Sequence, residues 1–403
     1  MACFICKTEK LTPILNLGHQ PPSDAFLKSE DLRKPEVTYP LNLVRCEVCS
    51  LVQLDYAIDP NILFRDYVYN TGTNNQLKVN FKSLVDAVVE RFRLTGADLA
   101  IDIGSNDGTL LKNYLPYGVK ILGIDPSSVS VIAIREGVPT IISFFNEATA
   151  QKVVAEHGKA KMITATNVFA HVADLDSFMK GVTTLLAPDG VFVSDSGYLL
   201  DLITELQYDS IYHEHLRYYS LKPLLRLFHD HGLEIFDVER IPNHGGSIRV
   251  FGGKKGAYPI SPNVQTLLQL EEKNGLSAPE TFSAFAHRVA QSRLSLQTII
   301  FDIKREGKRI VGIGAPAKGN TLLNFCRFGP DSIDYLVEKS ELKIGLFTPG
   351  SHIPVVDEAK MFEEQPEYGL LLSWNLAEEL IKKLRAKGYR GKFIVPSETP
   401  TIL

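Results

Sequence analysis

A chain of 403 residues is too long for one hydrophobic core and predicts two or three domains. Its net charge of −4 gives no overall attraction to nucleic acid or to anionic membranes, so neither is an expected partner. The N-terminus lacks the basic segment and apolar run of a secretory signal, and no stretch of about 18 apolar residues occurs. We therefore expect a cytoplasmic protein.

Four of the five cysteines form two Cys-x-x-Cys pairs, Cys3/Cys6 and Cys46/Cys49. Each pair can offer two thiolates from one tight turn, and two such turns complete a tetrahedral zinc site with no position left for water. A redox role would not need the second pair. We predict that residues 1–60, called the cysteine lobe below, fold around a structural Zn2+ ion.

A segment rich in aromatic and hydroxyl side chains follows the cysteine lobe, at residues 64–73. It has neither helical nor strand periodicity. Loops of this composition often line pockets, which makes Tyr67 or Tyr69 a candidate pocket residue. Packing of either ring against a domain boundary explains the composition equally well.

Strands and helices alternate from about residue 77 onward. Apolar side chains at a 3.6-residue period predict a helix over 77–92, and buried strands follow at 99–103, 120–125, 139–143, 162–165 and 190–194. Helices are expected between them at 109–115, 147–157 and 174–186. Strands separated by helices need right-handed crossovers, so the sheet is predicted to be parallel.

The end of this sheet has a different pattern. Two strands, 233–240 and 247–251, are joined without a helix by a turn containing Asn243-His244-Gly245-Gly246, so the last strand should be antiparallel. A late antiparallel hairpin distinguishes the class I methyltransferase version of the doubly wound fold from plain dehydrogenases. We assign this domain to residues 61–255.

The remaining chain predicts a helical connector and a second α/β domain. Residues 256–306 are mostly helical in pattern and amphipathic in their second half. Residues 307–403 contain strands at 309–314, 334–338, 369–373 and 392–395 with a helix from about 318, which indicates a Rossmann-like domain.

A glycine-rich turn with acidic residues connects the first strand to the first helix of the methyltransferase-like sheet. Gly104 and Gly108 let the backbone approach a nucleotide-like ligand, and Asp125 closes the second strand, where it can accept hydrogen bonds from ribose hydroxyls. Asn106 replaces the glycine of a tight pyrophosphate turn, and Asp102 would repel phosphate but attract a cation. These residues favour S-adenosylmethionine over NAD as the cofactor.

Two histidine-bearing segments are expected at the same rim of the sheet. Asn167 and His171 follow the fourth strand, and loops at the carboxyl ends of parallel strands are where these folds bind ligands. The segment 211–220 follows the fifth strand and contains Tyr212, Glu214 and His215, among the side chains best suited to proton transfer near neutral pH.

Together, these motifs resemble the nucleotide-sugar C-methyltransferases over essentially the whole chain and in the same order. The motifs are the paired Cys-x-x-Cys turns, the tyrosine-rich loop at 67–73, the glycine turn, Asn-Val-Phe-Ala-His at 167–171, Tyr-His-Glu-His at 212–215 followed by Tyr-Tyr-Ser, His-Gly-Gly-Ser-Ile-Arg at 244–249, and Gly-Ile-Gly-Ala-Pro-Ala-Lys-Gly-Asn-Thr at 312–321.

The resemblance implies an N-terminal zinc lobe, a central S-adenosylmethionine domain and a C-terminal α/β domain that helps to hold a nucleotide sugar. The implied reaction is methylation of carbon 3 of a nucleoside-diphosphate 4-keto-6-deoxyhexose, in the biosynthesis of a branched-chain deoxysugar. A base must remove the proton next to the ketone while hydrogen-bond donors stabilise the resulting enolate.

The resemblance also implies roles for individual residues. His215 is the expected base, with Tyr212 as the competing candidate, and Glu214 would orient an imidazole or bind a sugar hydroxyl. His171 would donate to the enolate or position the sugar, and Tyr67 or Tyr69 would line the sugar pocket. Lys318, at a helix start, suits the diphosphate. The other expected substrate-binding residues are Asn320, Arg249 and His244.

Three other functions were weighed against this one. A zinc-ribbon RNA methyltransferase would need a basic stripe with interleaved aromatic residues, which this acidic chain does not supply. A nucleotide-sugar sensor would need no base. An O-methyltransferase acting on the same sugar would have the same sequence features.

Overall fold

A computed structural model describes residues 1–64, 71–73 and 75–403, apart from the side chains of residues 64, 73 and 244. The candidate pocket residues Tyr67 and Tyr69 therefore lie outside the described residues. Among the residues described, no helix is both long enough and apolar enough to cross a lipid bilayer.

The strands and helices alternate along most of the chain. The strands are β1 (Leu11–Gln20), β2 (Tyr39–Cys46), β3 (Val52–Leu54), β4 (Leu99–Ile103), β5 (Lys120–Ile124), β6 (Thr140–Ile141), β7 (Ala160–Thr166), β8 (Leu186–Gly197), β9 (Arg217–Tyr218), β10 (Leu233–Ile241), β11 (Ser247–Lys254), β12 (Ile310–Ile313), β13 (Leu336–Glu338), β14 (Val355–Asp357), β15 (Tyr368–Leu371), β16 (Lys392–Val395) and β17 (Thr401–Ile402). The α-helices are α1 (Pro60–Phe64), α2 (Asn75–Phe92), α3 (Ser130–Arg135), α4 (Glu147–His157), α5 (Leu175–Leu185), α6 (Leu199–Thr204), α7 (Leu221–Asp230), α8 (Pro262–Lys273), α9 (Pro279–Arg305), α10 (Ala317–Cys326), α11 (Ala359–Glu364) and α12 (Ala377–Ala386).

The central sheet has the strand order β10-β11-β8-β7-β4-β5-β6. Strands β4 to β8 are parallel to one another, whereas β11 pairs antiparallel with both β8 and β10. All five residues of β4 are buried, as expected of a parallel strand covered by helices on both faces. The predicted fold class, a doubly wound sheet with a late antiparallel hairpin, is confirmed.

One predicted helix of this sheet has a different form. The segment predicted as a helix over 109–115 is a 3-10 helix, Leu111–Tyr117, with Pro116 inside it. A proline in the helix interior removes one backbone donor and clashes with the preceding turn, which prevents a regular α-helix here. Helices α4 and α5 agree with their predicted bounds to within a residue.

The C-terminal sheet has the strand order β14-β13-β12-β15-β16-β17, parallel except for β17. This is the order of a Rossmann-like domain. The chain moves outward from β12 on one side and returns to the other side with β15, and ligands of open α/β sheets bind where the order reverses in this way. Residues after β12 and after β15 therefore line the expected crevice.

The third sheet belongs to the cysteine lobe and has the order β1-β2-β3-β9. Its strands are antiparallel. The fourth strand, β9, comes from the histidine-bearing segment far along the chain, so this segment joins the cysteine lobe to the central domain. That pairing was not predicted.

Candidate active site

The four cysteines of the two Cys-x-x-Cys pairs come together at one end of the cysteine lobe. Their sulfur atoms all lie within 4.8 Å of one another. The Sγ atoms of Cys3 and Cys49 are 3.5 Å apart, and those of Cys6 and Cys46 are 3.4 Å apart. Zn–S bonds of about 2.3 Å in a tetrahedron place sulfur atoms roughly 3.8 Å apart, so this set of thiols fits Zn2+.

The turn after β4, residues 102–108, is called the cofactor turn, and its glycines are required by its geometry. Gly104 has a φ of +73°, and a Cβ atom there would lie 2.2 Å from the side chain of Val168. Gly108 has a φ of +75°, and its Cβ would lie 2.9 Å from Val138. Asn106 also has a left-handed φ of +51°, which asparagine tolerates better than most residues.

Asp125 lies beside the cofactor turn and is hydrogen-bonded by backbone donors. Its carboxylate accepts from the N–H of Asn106 at 2.9 Å and from the N–H of Ser127 at 2.8 Å. A carboxylate oxygen has two lone pairs, so Asp125 can still accept from a ribose hydroxyl. This is the role predicted for it.

Asp102 has the charge environment of a cation site. The pKa of Asp102 is raised to about 7. Burial and the negative charges of Asp125 and Asp195 raise it, whereas the hydrogen bond from the Thr164 hydroxyl, 2.6 Å away, lowers it. A cationic ligand would stabilise the ionised form, whereas a pyrophosphate would be repelled. The residues therefore fit the sulfonium and ammonium groups of S-adenosylmethionine.

Residues 71–73 lie against the cofactor turn. The N–H of Thr71 donates to the Asn106 side chain at 3.0 Å, and the N–H of Gly72 donates to the Asp107 carboxylate at 2.7 Å. These two hydrogen bonds join residues 71–72 to the cofactor turn.

The structure brings together the two histidines predicted at the rim of the sheet. The ring centroids of His171 and His215 are 5.0 Å apart, and the ring of Tyr212 lies 4.0 Å from that of His215. All three side chains are half-buried, whereas the other residues of the segment 213–219 are buried. We call His171 and His215 the imidazole pair.

A backbone oxygen fixes the orientation of His215. Its Nδ1 lies 3.0 Å from the carbonyl oxygen of Ser210. Because a carbonyl oxygen only accepts hydrogen bonds, Nδ1 carries the proton and Nε2 has the lone pair in the neutral ring. The ring is thereby prepared to accept a proton at Nε2.

His171 is held in its neutral form. Burial lowers the pKa of His171 well below its ordinary value, and the positive charges of His215 and Arg217 lower it further. A neutral imidazole has one N–H donor, which suits hydrogen bonding to a developing oxyanion. Asn167, four residues earlier, has a left-handed φ of 56°, and its N–H donates to the backbone oxygen of Asp195 at 2.9 Å.

Glu214 occupies a different environment from its neighbour His215. Its side chain is buried, and burial together with the charge of Asp24 raises its pKa to about 8. Its Oε2 atom has no hydrogen-bond partner among the described residues. Glu214 is therefore protonated at neutral pH and can act as a donor, which is compatible with binding a sugar hydroxyl.

Two predicted substrate-binding residues lie on or beside the late hairpin. Arg249 is buried and makes two hydrogen bonds of 2.8 Å to the Asp195 carboxylate. This ion pair holds the strand that also anchors Asn167, so the geometry gives Arg249 a supporting position. The backbone of His244 lies in the 3-10 turn Asn243–Gly245.

Lys318 lies at the start of α10, in the expected crevice of the C-terminal domain. Its ammonium group donates to the Asn375 side chain and lies 5.6 Å from the ring centroid of Trp374. Burial lowers the pKa of Lys318, while the charge of Asp209 raises it. Trp374 in turn donates from Nε1 to the Asp209 carboxylate at 2.7 Å.

Helix α10 contacts both the cysteine lobe and the segment 211–220, which bears His215. Asn320 donates to the backbone oxygen of Ser23 at 2.6 Å, and Thr321 donates to that of Ile211 at 3.3 Å. Asp209 and Trp374 were missed by the sequence analysis. Trp374 is the only tryptophan of the chain, a signal that could have drawn attention to it, but nothing in the sequence marks Asp209.

Comparison with known proteins gives three family matches along the chain. Residues 3–64 match a zinc binding domain, residues 82–238 a methyltransferase domain, and residues 242–397 the C-methyltransferase C-terminal domain. These ranges follow the order of the three sheets.

The chain is similar to individual proteins over very different lengths. It is 34% identical to the C-methyltransferase NovU of Streptomyces niveus over 406 residues, which cover 100% of this chain and 96% of that protein. It is 24% identical to a ubiquinone biosynthesis O-methyltransferase of Rhodopseudomonas palustris over 127 residues, 30% of this chain and 49% of that protein. The match to the structure of the Synechocystis magnesium protoporphyrin IX methyltransferase with bound SAM covers 44% of this chain and 79% of the Synechocystis chain, at 14% identity and a TM-score of 0.34.

Proposed function

Because this chain belongs to the C-methyltransferase family, we propose that it methylates carbon 3 of a nucleoside-diphosphate 4-keto-6-deoxyhexose, in the biosynthesis of a branched-chain deoxysugar. It is an S-adenosylmethionine-dependent methyltransferase with a zinc-binding lobe. The observation that supports this substrate class most directly is the imidazole pair, in which one ring is oriented as a base and the other is a neutral donor.

His215 removes the proton from carbon 3 in this mechanism. Its Nδ1–H stays bonded to the Ser210 carbonyl, and Nε2 accepts the proton. The carbonyl also stabilises the imidazolium that forms, because a hydrogen bond from Nδ1–H strengthens when the ring becomes positive. Tyr212, whose ring lies 4.0 Å away, is the competing base.

His171 stabilises the enolate. Its N–H donates to the oxygen on carbon 4 as negative charge develops there, a contribution that is large in a site from which water is excluded. Glu214, as a neutral acid, donates to a sugar hydroxyl. The cofactor, when bound by Asp102, the cofactor turn and Asp125, supplies an electrophilic methyl group to carbon 3.

The nucleoside diphosphate binds at the crevice between β12 and β15. Lys318 gives its ammonium group to the phosphate oxygens, exchanging its contact with Asn375 for a stronger ionic one. Asn320 lies two residues after Lys318 in the first turn of α10, and its buried Oδ1 has no partner among the described residues. Tyr67 or Tyr69 and His244 complete the proposed sugar pocket, and Arg249 supports it from the hairpin through Asp195.

Incubation with S-adenosylmethionine and a panel of nucleoside-diphosphate 4-keto-6-deoxyhexoses tests this proposal. We expect one or more sugars to gain a methyl group, with loss of the carbon 3 proton signal in the NMR spectrum of the product. The matched control is His215→Asn, which should bind the cofactor without turnover.

Two results would contradict the proposal. A product that gains a methyl group but keeps its carbon 3 proton would identify an O-methyltransferase. Absence of a methylated product with every sugar of the panel would reject the substrate class.

A further inference from the structure

The peptide group of Leu216 connects three parts of the molecule. Its N–H donates to the carbonyl of Ala170 at 3.0 Å, and its own carbonyl accepts from the N–H of Leu54 at 3.0 Å. Leu216 directly follows His215, Ala170 directly precedes His171, and Leu54 ends β3 of the cysteine lobe. The spacing of the imidazole pair is thus set by backbone hydrogen bonds that continue into the cysteine lobe.

Arg217 makes a second connection between the same parts. Its side chain is 1% exposed, its Nη2 donates to the carbonyl of Val172, and its guanidinium lies 4.6 Å from the ring centroid of Phe4. Phe4 lies within the first Cys-x-x-Cys pair, and its N–H donates to the Gln53 side chain at 2.9 Å. The first cysteine turn therefore contacts the residue next to His171 through one arginine.

A buried guanidinium needs specific partners, because an unpaired charge away from water is strongly unfavourable. The Phe4 ring and the Val172 carbonyl supply two of them, while Nε and Nη1 have no hydrogen-bond partner among the described residues. Strand β9 also pairs with β3 through Gln53 and Arg217. If the lobe served only to stabilise itself, its contacts would not converge on the two backbone segments that flank the imidazole pair.

We propose that the cysteine lobe positions the imidazole pair, and that Arg217 is a positioning residue that transmits the geometry of the first cysteine turn to His171. This inference rests on the proposed catalytic function of the pair. The metal is then required for the spacing of the two rings as well as for the fold of the lobe. A misplacement of about 1 Å at reacting groups can reduce a rate by roughly a hundredfold.

Two variants test the connection, and both keep the cysteines. Phe4→Leu removes the aromatic face but keeps an apolar side chain, and Arg217→Lys keeps the charge but loses the planar group. In each variant we expect one zinc ion per chain, an unchanged dissociation constant for S-adenosylmethionine, and a kcat at least about tenfold lower with little change in KM. The matched controls are Phe301→Leu and Arg305→Lys, at exposed positions of α9.

Hydrogen-deuterium exchange provides a readout that does not depend on turnover. In both variants and in zinc-depleted protein, we expect at least about tenfold faster exchange at 170–172 and 215–218, while β4 keeps its protection. If exchange accelerates only within residues 1–54, or if Phe4→Leu keeps full kcat, the positioning function is rejected. Arg217→Lys could unfold the lobe and lose zinc, in which case Phe4→Leu alone decides the outcome.

The exchange result separates this inference from the proposed function. If the wild-type protein methylates no sugar of the panel, the proposed function fails, yet the exchange experiment still shows whether the lobe orders the two segments. If turnover is confirmed and exchange is unchanged, only the positioning function fails.

Discussion

His215 is oriented by a backbone carbonyl, and its ring lies beside the rings of Tyr212 and His171. The hydrogen bond to the carbonyl fixes the tautomer of the base. The neighbouring carboxyl, Glu214, is kept neutral by burial and does not compete for the proton.

Replacing His215 by asparagine should remove the base and keep the hydrogen bond to Ser210, because the amide can still donate. We expect kcat to fall by about 10²–10⁴-fold, the range typical of a lost general base. Cofactor affinity, measured by calorimetry, should stay within about twofold, since the groups proposed to bind the cofactor are on the cofactor turn and Asp125, not on this ring. If Tyr212→Phe proves the more damaging change and His215→Asn keeps most activity, Tyr212 is the base.

Asp102 should make cofactor binding depend on pH. Its pKa is raised to about 7, and only the ionised carboxylate attracts a sulfonium, so affinity should rise as pH increases through 7 and level off above it. Calorimetric titration between about pH 5.5 and 8.5 measures this change. Asp102→Asn should bind more weakly and show a flatter profile, whereas an unchanged profile would assign the pH dependence to another group.

At the scale of elements, most of the fold was predictable because helices and strands have distinct apolar periods. The buried strand β4, the helices α4 and α5 and the late hairpin β10–β11 all follow from local pattern. Strand β9 has two residues and no period of its own, and its partner β3 lies in another domain. A pairing of that kind depends on tertiary contacts alone and could not be derived from the sequence.

The contact between the turn after β15, which carries Trp374, and Asp209 before the segment 211–220 gives a prediction at the same scale. Trp374→Phe removes the donor to Asp209, whose other oxygen, Oδ1, is buried without a partner among the described residues. Leaving a buried acceptor unsatisfied costs about 1–3 kcal/mol of unfolding free energy. Urea denaturation followed by circular dichroism measures the loss.

A double-mutant cycle with Asp209→Ala isolates the pair, because alanine has no acceptor for the Trp374 N–H. A coupling energy of about 1 kcal/mol or more is expected for a direct hydrogen bond between residues in contact. Additive effects would show that Trp374 stabilises the crevice by packing alone.

At the scale of the whole molecule, the order of its parts followed from the sequence, but their contacts did not. The spacing of the cysteines predicted the zinc lobe, and the alternation of strand and helix patterns along the sequence predicted two α/β domains. The contacts of Asp209 and Arg217 are made with partners far along the chain, so they could not be derived from local pattern. The cofactor turn could be predicted because its glycines and Asp102 follow a buried strand directly in the sequence.

Zinc should protect four thiols of the native protein from modification. With the metal bound, we expect no rapid reaction with a thiol reagent, because the four clustered sulfurs are ligands and Cys326 is fully buried. A chelator should release one equivalent of zinc and expose four thiols, and the fifth should react only after denaturation. Two reactive thiols, or zinc loss without new thiols, would contradict a four-cysteine site.

The sheet of the cysteine lobe is also incomplete until strand β9 has been made, more than 160 residues after β3. Ribosomes add about 5–20 residues per second, so the nascent chain carries this open edge for roughly 10 to 30 seconds. An unpaired edge is a template for wrong association, and the three-residue length of β3 limits that hazard. Prematurely terminated chains that end before Arg217 keep the edge permanently, which makes them the form of this protein most prone to aggregate in the cell.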